Sequence, residues 1–151
     1  DLEGAFARAH IRILEDVSQL AYVGKNANPV RIVGRKEWLY TQGNRFTPAQ
    51  LMPNGPDNVY TILLDHEPRE LKADAAAGAN LILSGHTHGG QIWPTGLVAK
   101  LFRYNELNYG MQQITPACAA IVSGGTGTWG YKIRTEGKTE LVMVEIEQKN
   151  A

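Results

Sequence analysis

The apolar and polar positions divide this chain into a loosely patterned first third and a sharply patterned remainder. Residues 2 to about 10 carry apolar side chains at Leu2, Ala5, Phe6 and Ala9, which predicts a short helix. Ile11 to Val23 alternates loosely and predicts two short strands around the turn Glu15–Ser18. Val30–Val33 reads as a further strand. Residues 43–58 hold Pro48, Pro53 and Pro56 among Gly and Asn, the composition of a loop with one helical turn at Pro48–Leu51. From Val59 the pattern sharpens. Val59–Asp65 is a nearly uninterrupted apolar run, predicting a strand covered on both faces. Pro68 suits the first turn of a helix over 68–77, and Gly78 suits its left-handed end. Leu81–Ser84 is the next strand, so 59–84 predicts a parallel β-α-β unit with a right-handed crossover. Gly96–Tyr104 reads as a short helix or lid. Leu107–Gln113, Ala119–Ser123 and Leu141–Ile146 read as strands. The fold class is α/β with a mixed sheet.

Composition excludes more than it selects. The chain has 151 residues, enough for one compact domain. Lys+Arg and Asp+Glu both number 15, so there is no electrostatic footprint for nucleic acid. No apolar stretch approaches the roughly 20 residues that span a bilayer. The single cysteine, Cys118, rules out an intrachain disulfide and reads as a buried, inert thiol in an apolar run. The chain opens at Asp1 directly into a helical pattern, which reads as a piece of something longer.

Candidate chemistry concentrates in Ser84-Gly85-His86-Thr87-His88-Gly89-Gly90-Gln91, immediately after the Leu81–Ser84 strand. Two imidazoles two residues apart on a glycine-bounded turn suit a metal ion, and neutral imidazole accepts Zn, Mn, Fe or Ni. Backbone wrapped closely around an ion often needs φ > 0, which explains the flanking glycines. His66 ends the preceding strand. Ligand sites of open α/β sheets lie at the carboxyl ends of strands, and all three histidines fall there. His66, His86 and His88 are therefore the candidate ligands, read in preference to satisfied structural histidines. His10 lacks such a context.

Other signals have bland alternatives. Asp65 reads as a strand-end cap in preference to a carboxylate that orients a ligating imidazole. The loop Gly124–Gly130 lacks the spacing of a P-loop or dinucleotide fingerprint and reads as a tight turn packing Trp129. Trp93 and Pro94 suit either a site mouth or ordinary packing.

The segments Leu63-Leu64-Asp65-His66-Glu67-Pro68 and Ser84–Gln91 together resemble the C-terminal half of calcineurin-like metallophosphoesterases. The likeness is nearest to a bacterial branch with a Gly-His-Thr-His-Gly-Gly-Gln turn. Gly125–Gly130, Arg134 and Glu140 are similar to that branch as well. The resemblance covers about residues 59–146. It implies a β-sandwich of two mixed sheets flanked by helices. It also implies two divalent metals bridged by an aspartate and a water, with His66 and His86 on one metal and His88 on the other. Such a pair, roughly 3.5–4 Å apart, activates water for in-line attack on a phosphomonoester or phosphodiester. The family's Asp-x-His, Gly-Asp and Gly-Asn-His motifs are absent, and with them the bridging aspartate and the catalytic histidine. The expectation is a single domain over 1–151, a fragment of a longer phosphoesterase domain lacking its N-terminal half. It would have little activity alone and would hold one metal ion or none. Self-association or pairing with the missing half is expected from uncovered sheet. Localisation stays open between cytoplasmic and membrane-associated. The alternatives are a stand-alone module with a three-histidine single-ion site, or a single-zinc hydrolase using Asp65 or Glu67 as base.

Overall fold

The computed structural model describes residues 1–53 and 58–147. One six-stranded mixed sheet organises them. Its strands are β1 (Val17–Val23), β2 (Asn28–Gly34), β3 (Tyr60–Leu64), β4 (Leu81–Ser84), β5 (Gly110–Thr115) and β6 (Cys118–Val122). The spatial order is β1-β2-β3-β4-β6-β5. The four central strands run parallel, and β1 and β5 close the edges antiparallel. The helices are α1 (Leu2–Arg8), α2 (Trp38–Thr41), α3 (Pro48–Leu51), α4 (Leu71–Ala76) and α5 (Thr95–Phe102).

Strand parity explains where the core lies. Val33, Leu63, Ile82 and Ala120 are register partners across the four parallel strands, so all four project from one face. All are completely buried. Leu71 of α4 and Leu51 and Met52 at α3 join the same cluster, with Ala75 and Ala77 packed beside it. The alanines bring the α4 backbone close to the sheet. Gly78 at φ +112 ends the helix with a positive φ, as its position predicts.

The other face is open. Tyr60 and Leu64 on β3 are 37% and 38% exposed, so the expectation that residues 59–65 are covered on both faces is corrected to one face. Among the described residues there is this one sheet, where the resemblance implies two. The β-α-β unit forms as predicted, with β3 and β4 parallel neighbours. The helix predicted over 68–77 begins at Leu71 instead. Of the two strands expected in 11–23, only β1 forms; Ile11 and Ile13 stay exposed outside the sheet. The predicted final strand 141–146 is not formed. Nothing there pairs with the ladder, and Leu141 and Met143 are almost fully exposed. Its alternation is a true pattern without a partner strand. The helical turn at 48–51 is present with a Thr47–Gln50 capping box. The part of the 43–58 loop that includes Pro56 lies outside the described residues.

Leu63 sits at the centre of the buried row. Replacing Leu63 by Ala is expected to lower stability by about 2–5 kcal/mol, read as a reduced urea midpoint with an unchanged slope.

Candidate metal centre

The site is built where the chain leaves three neighbouring parallel strands. After β3 the chain alternates inward and outward: Asp65 is buried, His66 exposed and Glu67 buried. Asp65 is held by two guanidiniums. Arg35 Nη1 donates to Oδ2 at 3.0 Å, and Arg45 donates to both oxygens at 2.8 and 2.9 Å. Arg35 also reaches Glu70 at 2.9 Å and Asp74 at 3.2 Å, and Arg45 reaches Glu70 at 3.1 Å. Asp65 Oδ1 accepts the Glu67 N–H at 3.3 Å, so the strand-end cap reading holds. A role on an imidazole, or as a general base, does not fit a carboxylate so fully engaged.

Two guanidiniums thus face three carboxylates, Asp65, Glu70 and Asp74. One negative charge is left over, and the titration tendencies show where it is relieved. Burial would raise Glu70, but hydrogen bonds from Arg35 and Arg45 outweigh it and hold Glu70 below its usual range. Burial pushes Asp74 up to about 7 against the attraction of Arg35. Asp74 Oδ2 has no hydrogen-bond partner, which suits a proton there.

Beyond this network the structure brings His66 and His86 together, with ring centroids 5.3 Å apart and edge-to-face. Burial, then the neighbouring His66 and Arg69, lowers the pKa of His86, which favours the neutral, ligating form. His88 is half-buried, and its Nδ1 has no hydrogen-bond partner. Among the described residues, however, the group whose ligand atoms all lie within 4.8 Å of one another is Glu37, Glu67 and His86, not the three histidines. Burial raises Glu67, and the adjacent Glu37 raises it further, against the pull of Arg69. Glu37 resists the raising effect of burial: contact with Glu67 and the Tyr40 N–H hold it below its usual range. Glu37 escaped the sequence reading. The available signal was its position just past β2, a third carboxyl strand end on the same rim.

The histidine turn has an unusual backbone. His86, His88, Gly89, Gly90 and Gln91 all have positive φ, between 51° and 93°. For the histidines and Gln91 this is an uncommon conformation, held by the surroundings. Gly90 is required sterically as well, since a Cβ there would stand 2.7 Å from the Glu136 carboxylate. The C-terminal segment does the holding. Arg134 donates to the carbonyls of His88 at 2.6 Å, Gly124 at 3.1 Å and Gly127 at 2.8 Å. The Gln91 amide accepts from Trp129 N at 2.6 Å and donates to Trp129 O at 2.8 Å. Glu140 accepts from Gly124 N and Tyr109 Oη at 2.8 and 2.7 Å. The glycine loop is thus tied to the turn through backbone groups. The expected packing of Trp129 is corrected, because the residue is 80% exposed. Cys118 is the inert thiol expected: buried, with its pKa pushed up to about 11 by burial.

Several known proteins similar to this chain share a name. An uncharacterized metallophosphoesterase of Helicobacter pylori is 35% identical over 91 residues, which is 60% of this chain and 24% of that protein. One of Aquifex aeolicus is 35% identical over 100 residues, 66% of this chain and 38% of that protein. The uncharacterized metallophosphoesterase YkoQ of Bacillus subtilis is 30% identical over 128 residues, 80% of this chain and 44% of that protein. The chain therefore spans less than half the length of these relatives. No family model matches it, and no solved structure does so significantly. The chain is a relative of the calcineurin-like metallophosphoesterases, and its α/β mixed sheet is compatible with that fold.

Two outcomes are expected from these contacts. An acid raised by folding stabilises the fold most at low pH and loses that contribution as pH rises towards its folded pKa, here about 7. Asp74→Asn should therefore gain on the parent protein by at least about 1.4 kcal/mol between pH 5 and pH 8, compared by urea denaturation. Arg134→Ala should speed amide hydrogen exchange at Gly89–Gln91 by about tenfold or more while leaving β3 and β4 protected, since its bond to the His88 carbonyl, from a charged donor, contributes about 1.5–3 kcal/mol.

Proposed function

We propose that this chain carries the histidine-bearing part of a metal-dependent phosphoesterase centre, with His66, His86 and His88 as ligands. The observation that supports it most directly is the 5.3 Å approach of His66 and His86 at the ends of adjacent parallel strands, in a relative of metallophosphoesterases. The donors fit a divalent ion: His86 is biased neutral, and His88 Nδ1 is a buried nitrogen without a partner. Divalent cations bound there would draw charge from a phosphate ester and make water a stronger nucleophile. The chain's own contribution is to bind and to orient. Asp65, fixed by Arg35 and Arg45, sets the strand end from which His66 projects. Arg134 and Gln91 hold the backbone that presents His86 and His88.

We place the complete two-ion centre, and phosphomonoester or phosphodiester hydrolysis, in a longer protein of which this chain is one part. The share of each relative that is matched, 24% to 44% for those above, supports that reading. So does the open sheet face bearing Tyr60 and Leu64, which a further segment of such a protein would cover. Our reading also assigns the chain to the bacterial branch with the Gly-His-Thr-His-Gly-Gly-Gln turn, on residues Gly85–Gln91 alone. Among the described residues no helix is long and apolar enough to cross a membrane.

The test compares this chain with the product of the continuous reading frame upstream of Asp1, using p-nitrophenyl phosphate and bis(p-nitrophenyl) phosphate with Mn²⁺. The longer protein is expected to hydrolyse one of them. His66→Ala and His86→Asn should each lose about a hundredfold or more, and this chain alone should show little turnover; Asn suits the positive φ at residue 86. Full activity in either variant would overturn the reading.

A further inference from the structure

We propose that Glu37, Glu67 and His86 form a cation site in their own right, two carboxylates and one imidazole suited to a divalent first-row ion such as Mn²⁺. One ligand atom from each lies within 4.8 Å of the other two. The second observation is independent of that clustering. Glu67 is completely buried, yet its Oε1 has no hydrogen-bond partner. A buried carboxylate oxygen left bare costs on the order of 1–3 kcal/mol or more, so such an atom marks a missing partner.

The surroundings fix the side chains. Arg69 Nε donates to Glu67 Oε2, which leaves Oε1 as the free atom. The Arg69 guanidinium is itself seated over the Trp38 ring, 4.8 Å from its centroid. Tyr40 N donates to Glu37 Oε2 at 2.7 Å, as the helix N-cap bond of α2. Each carboxylate therefore keeps one oxygen on a protein donor. Glu37 lies beyond β2, Glu67 beyond β3 and His86 beyond β4, three neighbouring strands in parallel register. Ligands on such a frame are held more rigidly than ligands on free loops.

Charge decides the kind of occupant. Two carboxylates against the one guanidinium of Arg69 leave a net negative site, which excludes an anion. Carboxylate oxygens favour Mn²⁺, and one imidazole nitrogen admits Zn²⁺ or Fe²⁺ as well. A proton shared between the two carboxyl groups is the competing occupant, and it would leave the His86 nitrogen unused. This site goes beyond the phosphoesterase reading and does not rest on it. It shares His86 but needs neither His66 nor His88.

The test titrates the 151-residue chain with Mn²⁺ by isothermal calorimetry, with Mn²⁺ electron paramagnetic resonance as a second readout. One ion per chain is expected. Glu67→Gln and Glu37→Gln, both nearly isosteric, should each weaken binding by about tenfold or more. His10→Asn, at an exposed histidine outside the cluster, should leave it unchanged. Urea midpoints confirm that the variants fold, and Glu37→Gln, at a half-buried position, carries the test if Glu67→Gln does not. Absence of Mn²⁺ binding, meaning a shared proton only, would overturn the proposal. So would binding that survives both Gln substitutions. An inactive longer protein would leave these stoichiometries untouched.

Discussion

The buried pairing of Asp65 with Arg35 and Arg45 is the constraint on which the rim of this sheet depends. It joins the end of β2, the end of β3, the loop before α3 and, through Glu70 and Asp74, helix α4. Charges this well buried contribute little net stability once desolvation is subtracted, but stranding one of them is costly. Their effect is geometric. Arg35 and Arg45 hold both oxygens of Asp65, and that grip fixes where the chain leaves β3. His66 and Glu67 inherit their positions from it.

The metal chemistry sits beside this network without being part of it. The carboxylates that one might enlist as ligands or bases by proximity in sequence, Asp65 above all, are saturated by arginine. Those grouped with His86 are Glu37 and Glu67, and Glu67 retains an uncommitted oxygen. The rim is thus divided into an ion-paired half that supports and a half with spare valence that can bind. The histidine turn belongs to the second half, although its backbone is secured from a distant segment by Arg134 and Gln91.

Much of this was legible in residues alone where local pattern and tertiary packing agree. The run to Leu64, the alanine-rich helix closed by Gly78 and the Leu81–Ser84 strand needed no partner beyond one another, and their parallel pairing placed His66 beside His86. What was not legible depended on partners far away in sequence. Leu141–Val144 alternates like a strand, but alternation does not supply a neighbouring ladder. Residues 59–65 are apolar on both sides, but apolar character does not say that both sides are covered. Glu37 lies 30 residues before Glu67, in a stretch with no motif, and only the β2–β3 register joins them. Asp65 looked like a local cap and is one, yet its main partners, Arg35 and Arg45, lie 30 and 20 residues before it, with no motif to mark them.

The inward–outward–inward order of Asp65, His66 and Glu67 makes the segment intolerant of changes in length. Inserting or deleting one residue after Leu64 would exchange the two sides, sending a carboxylate out to solvent and an imidazole into the arginine cluster. Homologous chains can therefore drift in composition here far more readily than in spacing. An alignment gap at this point would signal a protein that has abandoned the chemistry altogether.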